Sequence, residues 1–253
     1  VVGLIAAGLD YVVDIKVPQE IALMFVGSAL QLEQRNATMN DFVAELVERL
    51  RGNNIYSVLV KGQGIAQCYL RPLWRSSGDV DLLLNEDNYL KACKYLKPIA
   101  TIVDEEDTYK RHCALKIGIW DVELHGTMRS DLWKSVDNVI DSVQNVLFDK
   151  DSVRLWMNGT TQIYLPRADE DVVFVFVHIL QHFYKEGIGL RQVCDWMRLL
   201  WTFKGSINVN LLEKRILEMG IMTEWKAYAA LAVEYLGLPS EAIPFYSKSI
   251  CWK

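Results

Sequence analysis

The sequence predicts an α+β protein in which mixed strands and helices run to about residue 165 and helices alone follow. Three observations lead there. "YSVLVKG" and "DVDLLL" are short apolar runs of strand length, and "IWDVELH" alternates apolar and polar residues with period two. "NEDNYLKACKYLKPI" opens on Asn85, Glu86 and Asp87, good helix-start residues. From Asp169 the apolar residues recur at helical spacing in four successive segments.

Taken in order, residues 1–55 are expected to be helical. "PQEIALMFVGSALQLEQRNAT" starts on Pro18, and "TMNDFVAELVERLRGNN" is expected to be a second helix with Asn40 as its N-cap and Gly52-Asn53-Asn54 as its stop. Residues 56–165 form the sheet-bearing core. "VLVKG" ends in a turn containing Gly62 and Gly64, with a short helix over "IAQCYL" and the strand "DVDLLL" after it. "YKRHCALKIGIWDVELHG" reads as two strands around Gly118, "SDLWKSVDNVIDSV" as a helix and "TQIYLP" as a strand. Residues 166–253 are the helical domain, with Trp196, Trp201 and Trp225 expected in its core.

The chain has 253 residues, 51% hydrophobic and 23% charged, with 8 Trp and 11 Tyr, enough apolar mass for a large core and too much for a disordered chain. A net charge of -5 disfavours a polynucleotide partner, which calls for a basic footprint. The five cysteines, Cys68, Cys93, Cys113, Cys194 and Cys251, are widely spaced with no C-x-x-C pair, which fits reduced thiols in a cytoplasmic protein. No apolar run reaches the roughly 18–20 residues of a membrane span. The opening "VVGLIAAGL" lacks a basic start and a cleavage site, so no signal peptide is expected.

Asp79 and Asp81 are the oddity. Residues i and i+2 of a strand share a face, so two like charges repel inside an apolar run, and no cation stands nearby in sequence. A divalent cation would resolve this. Without one, Asp81→Asn is expected to relieve the chain. Glu123, on the later strand "DVELH", is the third candidate metal ligand. Three carboxylates on one sheet face suit one or two Mg²⁺ or Mn²⁺ ions, which take oxygen ligands and nucleotide phosphates. The glycine turn would let backbone N–H groups approach a phosphate.

These residues resemble the nucleotidyltransferase superfamily that includes DNA polymerase β, and more closely the "uncharacterised nucleotidyltransferase" family of bacteria. The matching parts are Lys61-Gly62, Ala66, Tyr69, Pro72, Arg75, "GDVDLLL", "VELH" and "HILQHFYKEGIGLRQVCDW". The resemblance implies a nucleotidyltransferase-fold mixed sheet with flanking helices plus a C-terminal helical domain. It implies Mg²⁺-dependent transfer of a nucleoside monophosphate from an NTP, ATP being expected, to a hydroxyl of a small-molecule or protein acceptor, with pyrophosphate leaving. Asp79, Asp81 and Glu123 would be the catalytic metal ligands. Lys61, Gly62, Gln63, Gly64 and Arg75 would hold the nucleotide, although Gln63 stands where Gly or Ser is usual.

His125, His182 and Arg191 are candidate acceptor contacts, set against capping or core roles. His178 and His182 lie at i and i+4, but "HILQH" lacks the Glu of H-E-x-x-H, which excludes a zinc protease. Arg191 and Asp195, a helical turn apart, are able to pair with each other. The helical part is expected to close one side of the cleft. Two rival functions share these residues: a protein AMP-transferase of toxin–antitoxin type, and a non-catalytic nucleotide-binding module.

Overall fold

The computed structural model describes residues 2–14, 16–108 and 111–248. It divides into two compact units, Val1–Gly126 with Arg154–Leu165, and Thr127–Val153 with Pro166–Lys253.

In the first unit, helix α1 (Val2–Gly8) precedes α2 (Gln19–Gly52), a single helix of 34 residues. The sequence suggested two helices, but no Gly or Pro interrupts 28–51, and Asn40 lies inside the helix rather than capping it. That length has a use. Met39, Val43, Leu46, Val47 and Leu50 of the C-terminal half are buried in the core. At its middle, Asn36 donates to the Leu73 and Arg75 carbonyls at 2.8 Å, and Arg35 to the Ser77 carbonyl at 2.5 Å. Glu33 accepts from the Trp74 indole at 2.6 Å. The helix thus fixes the irregular segment that feeds the aspartate strand.

The strands are β1 (Val58–Val60), β2 (Asp79–Leu83), β3 (Ile102–Val103), β4 (His112–Ile117) and β5 (Trp120–His125). They form a sheet of order β1-β2-β5-β4-β3, in which only the β2–β5 pair is parallel. Helix α3 (Gly62–Ala66) follows β1, and α4 (Glu86–Leu96) follows β2, N-capped by the Asn85 side chain. Val80 and Leu82 of β2, Val122 and Leu124 of β5, and Cys113 and Leu115 of β4 join α2 and α4 in one core. Strand alternation therefore sends Asp79, Asp81, Glu123, His125 and His112 to the other face. A hairpin of β6 (Val153–Asn158) and β7 (Thr161–Pro166) completes the unit.

The second unit holds α5 (Lys134–Val146), α6 (Ala168–Lys185), α7 (Leu190–Phe203), α8 (Val209–Met219) and α9 (Met222–Ala230). Phe176 stacks on Trp196 at 5.0 Å and meets Trp225 edge-on at 4.8 Å; both tryptophans are fully buried. Trp201 is instead on the outer face of α7, partly exposed, with the Lys204 ammonium 4.0 Å over its ring. Its helical phase differs from that of the buried Trp196, Leu199 and Leu200. Cys68, Cys93 and Cys113 are buried, Cys194 is half-buried, and all four are free thiols; Cys251 lies outside the described residues. Among the described residues no helix is long and apolar enough to cross a membrane.

Candidate active site

Sheet register assembles the site. The parallel pairing sets Asp81 beside Glu123 and Asp79 beside Asp121, while the β4–β5 hairpin sets His112 beside His125. Ligand oxygens of Asp79, Asp81 and Glu123 all lie within 4.8 Å of one another. Ligands about 2.1 Å from a shared Mg²⁺ close such a gap with sub-ångström movement.

The like charges are answered from outside the local sequence. Lys61 Nζ donates to Asp81 Oδ1 at 2.9 Å, and His125 Nε2 sits 2.8 Å from the same oxygen. Lys61 follows β1, which is antiparallel to β2, so the turn after β1 carries it to the aspartate. Its φ of 56° is unusual for a side-chain-bearing residue and is held against that cost by the bond to Asp81. His112 Nε2 and His125 Nε2 each stand 3.4 Å from Glu123 Oε2.

The two aspartates differ as a result. Burial, then the charges of Asp81 and Glu123, raise Asp79 above the usual carboxylate range. Burial also works against Asp81, but Lys61 and His125 outweigh it and lower its pKa to about 2. Asp81 is therefore the stabilised member of the pair, and these contacts favour a loss of stability on its neutralisation rather than the relief expected from two like charges alone. His112 and then His125 hold Glu123 below the carboxylate range. Burial disfavours the Lys61 ammonium and the His125 imidazolium, yet the carboxylates around them win and both are raised.

The glycine stretch is not an open turn. Gly62 begins α3 with φ +29°, and a Cβ there would stand 3.5 Å from the Asp79 carbonyl oxygen. A Cβ on Gly64 would meet Leu165 Cδ2 at 2.9 Å, so a larger residue there needs the leucine tip to shift. The Gln63 side chain turns into the core, hydrogen-bonded to Met39 Sδ, which leaves its backbone as the part able to meet a nucleotide. Arg75 is buried, not a surface charge, and donates to Ser77 Oγ at 2.9 Å. In the second unit His182 is 3.2 Å from His178 and 3.1 Å from Glu186, and Arg191 lies in the first turn of α7.

Sequence reasoning missed His112 and the pairing of Lys61 with Asp81. A register drawn across the Gly118 hairpin would have found the first, since a tight turn there sets His112 opposite His125. Nothing local announces the second.

The family described as uncharacterised nucleotidyltransferase matches residues 1–237, and the chain belongs to it. Membership supports nucleotidyl transfer as the general reaction and an NTP as substrate. The crystal structure of an antigenic nucleotidyltransferase-like protein from Paracoccidioides brasiliensis is similar over 80% of this chain and 91% of that one, at 14% identity and a TM-score of 0.46. So distant a likeness carries no argument about the site. None of the curated proteins matches the sequence.

Proposed function

We propose that the protein transfers a nucleoside monophosphate from an NTP, ATP first among them, to a hydroxyl of a small-molecule or protein acceptor. The observation that carries this reading is the convergence of Asp79, Asp81 and Glu123 on the sheet face opposite the core. The donor set fits hard divalent ions: all oxygen, closely spaced, with Asp79 left short of positive charge. Asp79, Asp81 and Glu123 would hold Mg²⁺ or Mn²⁺, which when bound supplies charge stabilisation for the phosphates and activation of the attacking oxygen.

The chain's own residues do the rest. Lys61, fixed on Asp81, keeps positive charge beside the carboxylates and is placed to attract a triphosphate. The Gly62-Gln63-Gly64 backbone and Arg75 are the proposed nucleotide contacts. His125 orients Asp81 through its 2.8 Å contact, a more direct role than touching the acceptor. His182 and Arg191 remain the proposed acceptor contacts; their alanine variants should weaken acceptor use far more than NTP binding. The acidic charge disfavours a polynucleotide acceptor, and the free thiols fit a cytoplasmic setting.

Incubation with each α-labelled NTP and Mg²⁺, against a metabolite extract and a protein extract separately, tests the reading. Label on a metabolite supports small-molecule transfer, and label on protein supports the AMP-transferase alternative. NTP binding without transfer to either extract would leave a nucleotide-binding module.

A further inference from the structure

We propose that His112, Glu123 and His125 form a second cation site, of mixed nitrogen and oxygen chemistry, for a borderline divalent transition ion such as Zn²⁺ or Co²⁺. The proposal does not rest on nucleotidyl transfer: the site would bind its ion whether or not the neighbouring carboxylates act on a nucleotide.

The distances fit coordination better than strong hydrogen bonding. Both imidazole Nε2 atoms stand 3.4 Å from the same oxygen, Glu123 Oε2. Good N–H···O bonds are about 2.7–3.2 Å long, so neither contact is a strong one. Ligands about 2.0–2.1 Å from a tetrahedral ion stand about 3.3 Å apart, and both separations match that edge. One ligand atom from each of the three residues falls within a 4.8 Å span.

The scaffold is suited to holding such ligands. His112 and His125 are cross-strand partners, and Glu123 lies two residues from His125 on the same face, so three positions of one hairpin point together. The His112 and Glu123 side chains are about one-third exposed, which gives the ion a way in from solvent. The imidazole rings are 5.0 Å apart between centroids, tilted by 40°, so both are able to face one point. Two histidines and one carboxylate leave a coordination position open for water or a substrate oxygen. Mg²⁺ prefers all-oxygen surroundings, so the two neighbouring sets select different ions.

Glu123 joins the two sets. Its Oε2 faces the histidines, and its carboxylate also lies among the ligand oxygens of Asp79 and Asp81. An ion on the histidines would take the Nε2 lone pair of His125 in place of its contact with Asp81, while Lys61 stays on Asp81.

The test is Co²⁺ titration of the metal-free full chain, followed by visible d–d absorption and checked by equilibrium dialysis with Zn²⁺. The wild type should show a saturable four-coordinate spectrum. His112→Ala should weaken Co²⁺ binding by at least about ten-fold, the least expected when a direct ligand is lost given what supporting residues alone contribute. Asp79→Asn, outside this ligand set, should keep the spectrum. His112→Gln, closer in size, provides a second variant if the alanine chain fails to fold by circular dichroism. Wild-type Co²⁺ affinity in a folded His112 variant would overturn the proposal. So would a loss in Asp79→Asn as large as that in His112→Ala, since the ion would then sit on the carboxylates.

Discussion

Each unit buries charge, and the two do it differently. In the helical unit Glu170 meets Arg215 at 3.0 Å, both nearly inaccessible, and Arg215 also donates to the Asp169 carbonyl. Burial pushes Glu170 up, and Arg215 offsets part of that. On the sheet face of the other unit, three carboxylates gather around Lys61 and two histidines, and Asp79 stays raised because it is buried and because its neighbours repel it. A carboxylate matched by a guanidinium has the makings of a structural tie. Three carboxylates that converge on one lysine and two histidines have room for another cation, and that convergence separates a candidate site from a buried ion pair.

Removing the guanidinium should have the largest effect. Arg215→Met leaves Glu170 buried without its partner and is expected to cost about 3–5 kcal/mol in chemical denaturation. A loss below 1 kcal/mol would mean the pair is not the tie described. Asp81→Asn comes next, at about 3 kcal/mol, because the amide keeps an acceptor oxygen but removes the negative charge that Lys61 and His125 share. The same variant should lower transfer by on the order of 10²–10³-fold, the scale of losing a group that stabilises transition-state charge.

Asp79→Asn should do the opposite to stability. With its pKa raised in the folded state, Asp79 is at its most costly at any pH above that folded pKa, where the carboxylate is ionised. The cost disappears as pH falls through its folded pKa toward the ordinary carboxylate value. The metal-free variant should therefore melt higher than wild type at pH 7, by no more than about 2–4 °C, and the advantage should shrink toward pH 4. Asp81 has the reverse dependence: its contribution is full above the ordinary carboxylate range and is lost as pH falls toward about 2. An Asp79→Asn protein that melts lower than wild type at neutral pH would remove the electrostatic contrast between the two aspartates.

The sequence made the aspartate strand legible because alternation shows on each strand separately: "DVDLL" and "WDVELH" reveal which residues share a face. It could not reveal what crosses between strands. Lys61 reaches Asp81 from a turn 20 positions earlier, through a backbone conformation that lysine rarely takes. Asn40 favours a helix start, yet α2 runs through it unbroken, and Thr38 beside it bonds back to the Gln34 carbonyl within the same helix. Strand β6 ends on Asn158-Gly159, a hairpin signal, with Gly159 at φ 60°. Val153, Leu155 and Met157 do alternate along it, but Trp156 breaks the polar face and Leu155 and Met157 are exposed, so the pattern does not mark a buried face.

The central claim is that Asp79, Asp81 and Glu123 form a site for a divalent cation with nucleotide. Thermal unfolding of wild type and Asp79→Asn, each with and without Mg²⁺ and a non-hydrolysable ATP analogue, tests it most directly. At ligand about 100-fold above its Kd, binding to the folded state adds about 2.7 kcal/mol, so the wild-type Tm should rise by several degrees. Asp79→Asn, though it starts higher, should gain little. An unchanged wild-type Tm under those conditions, or an equal rise in both proteins, would contradict the claim.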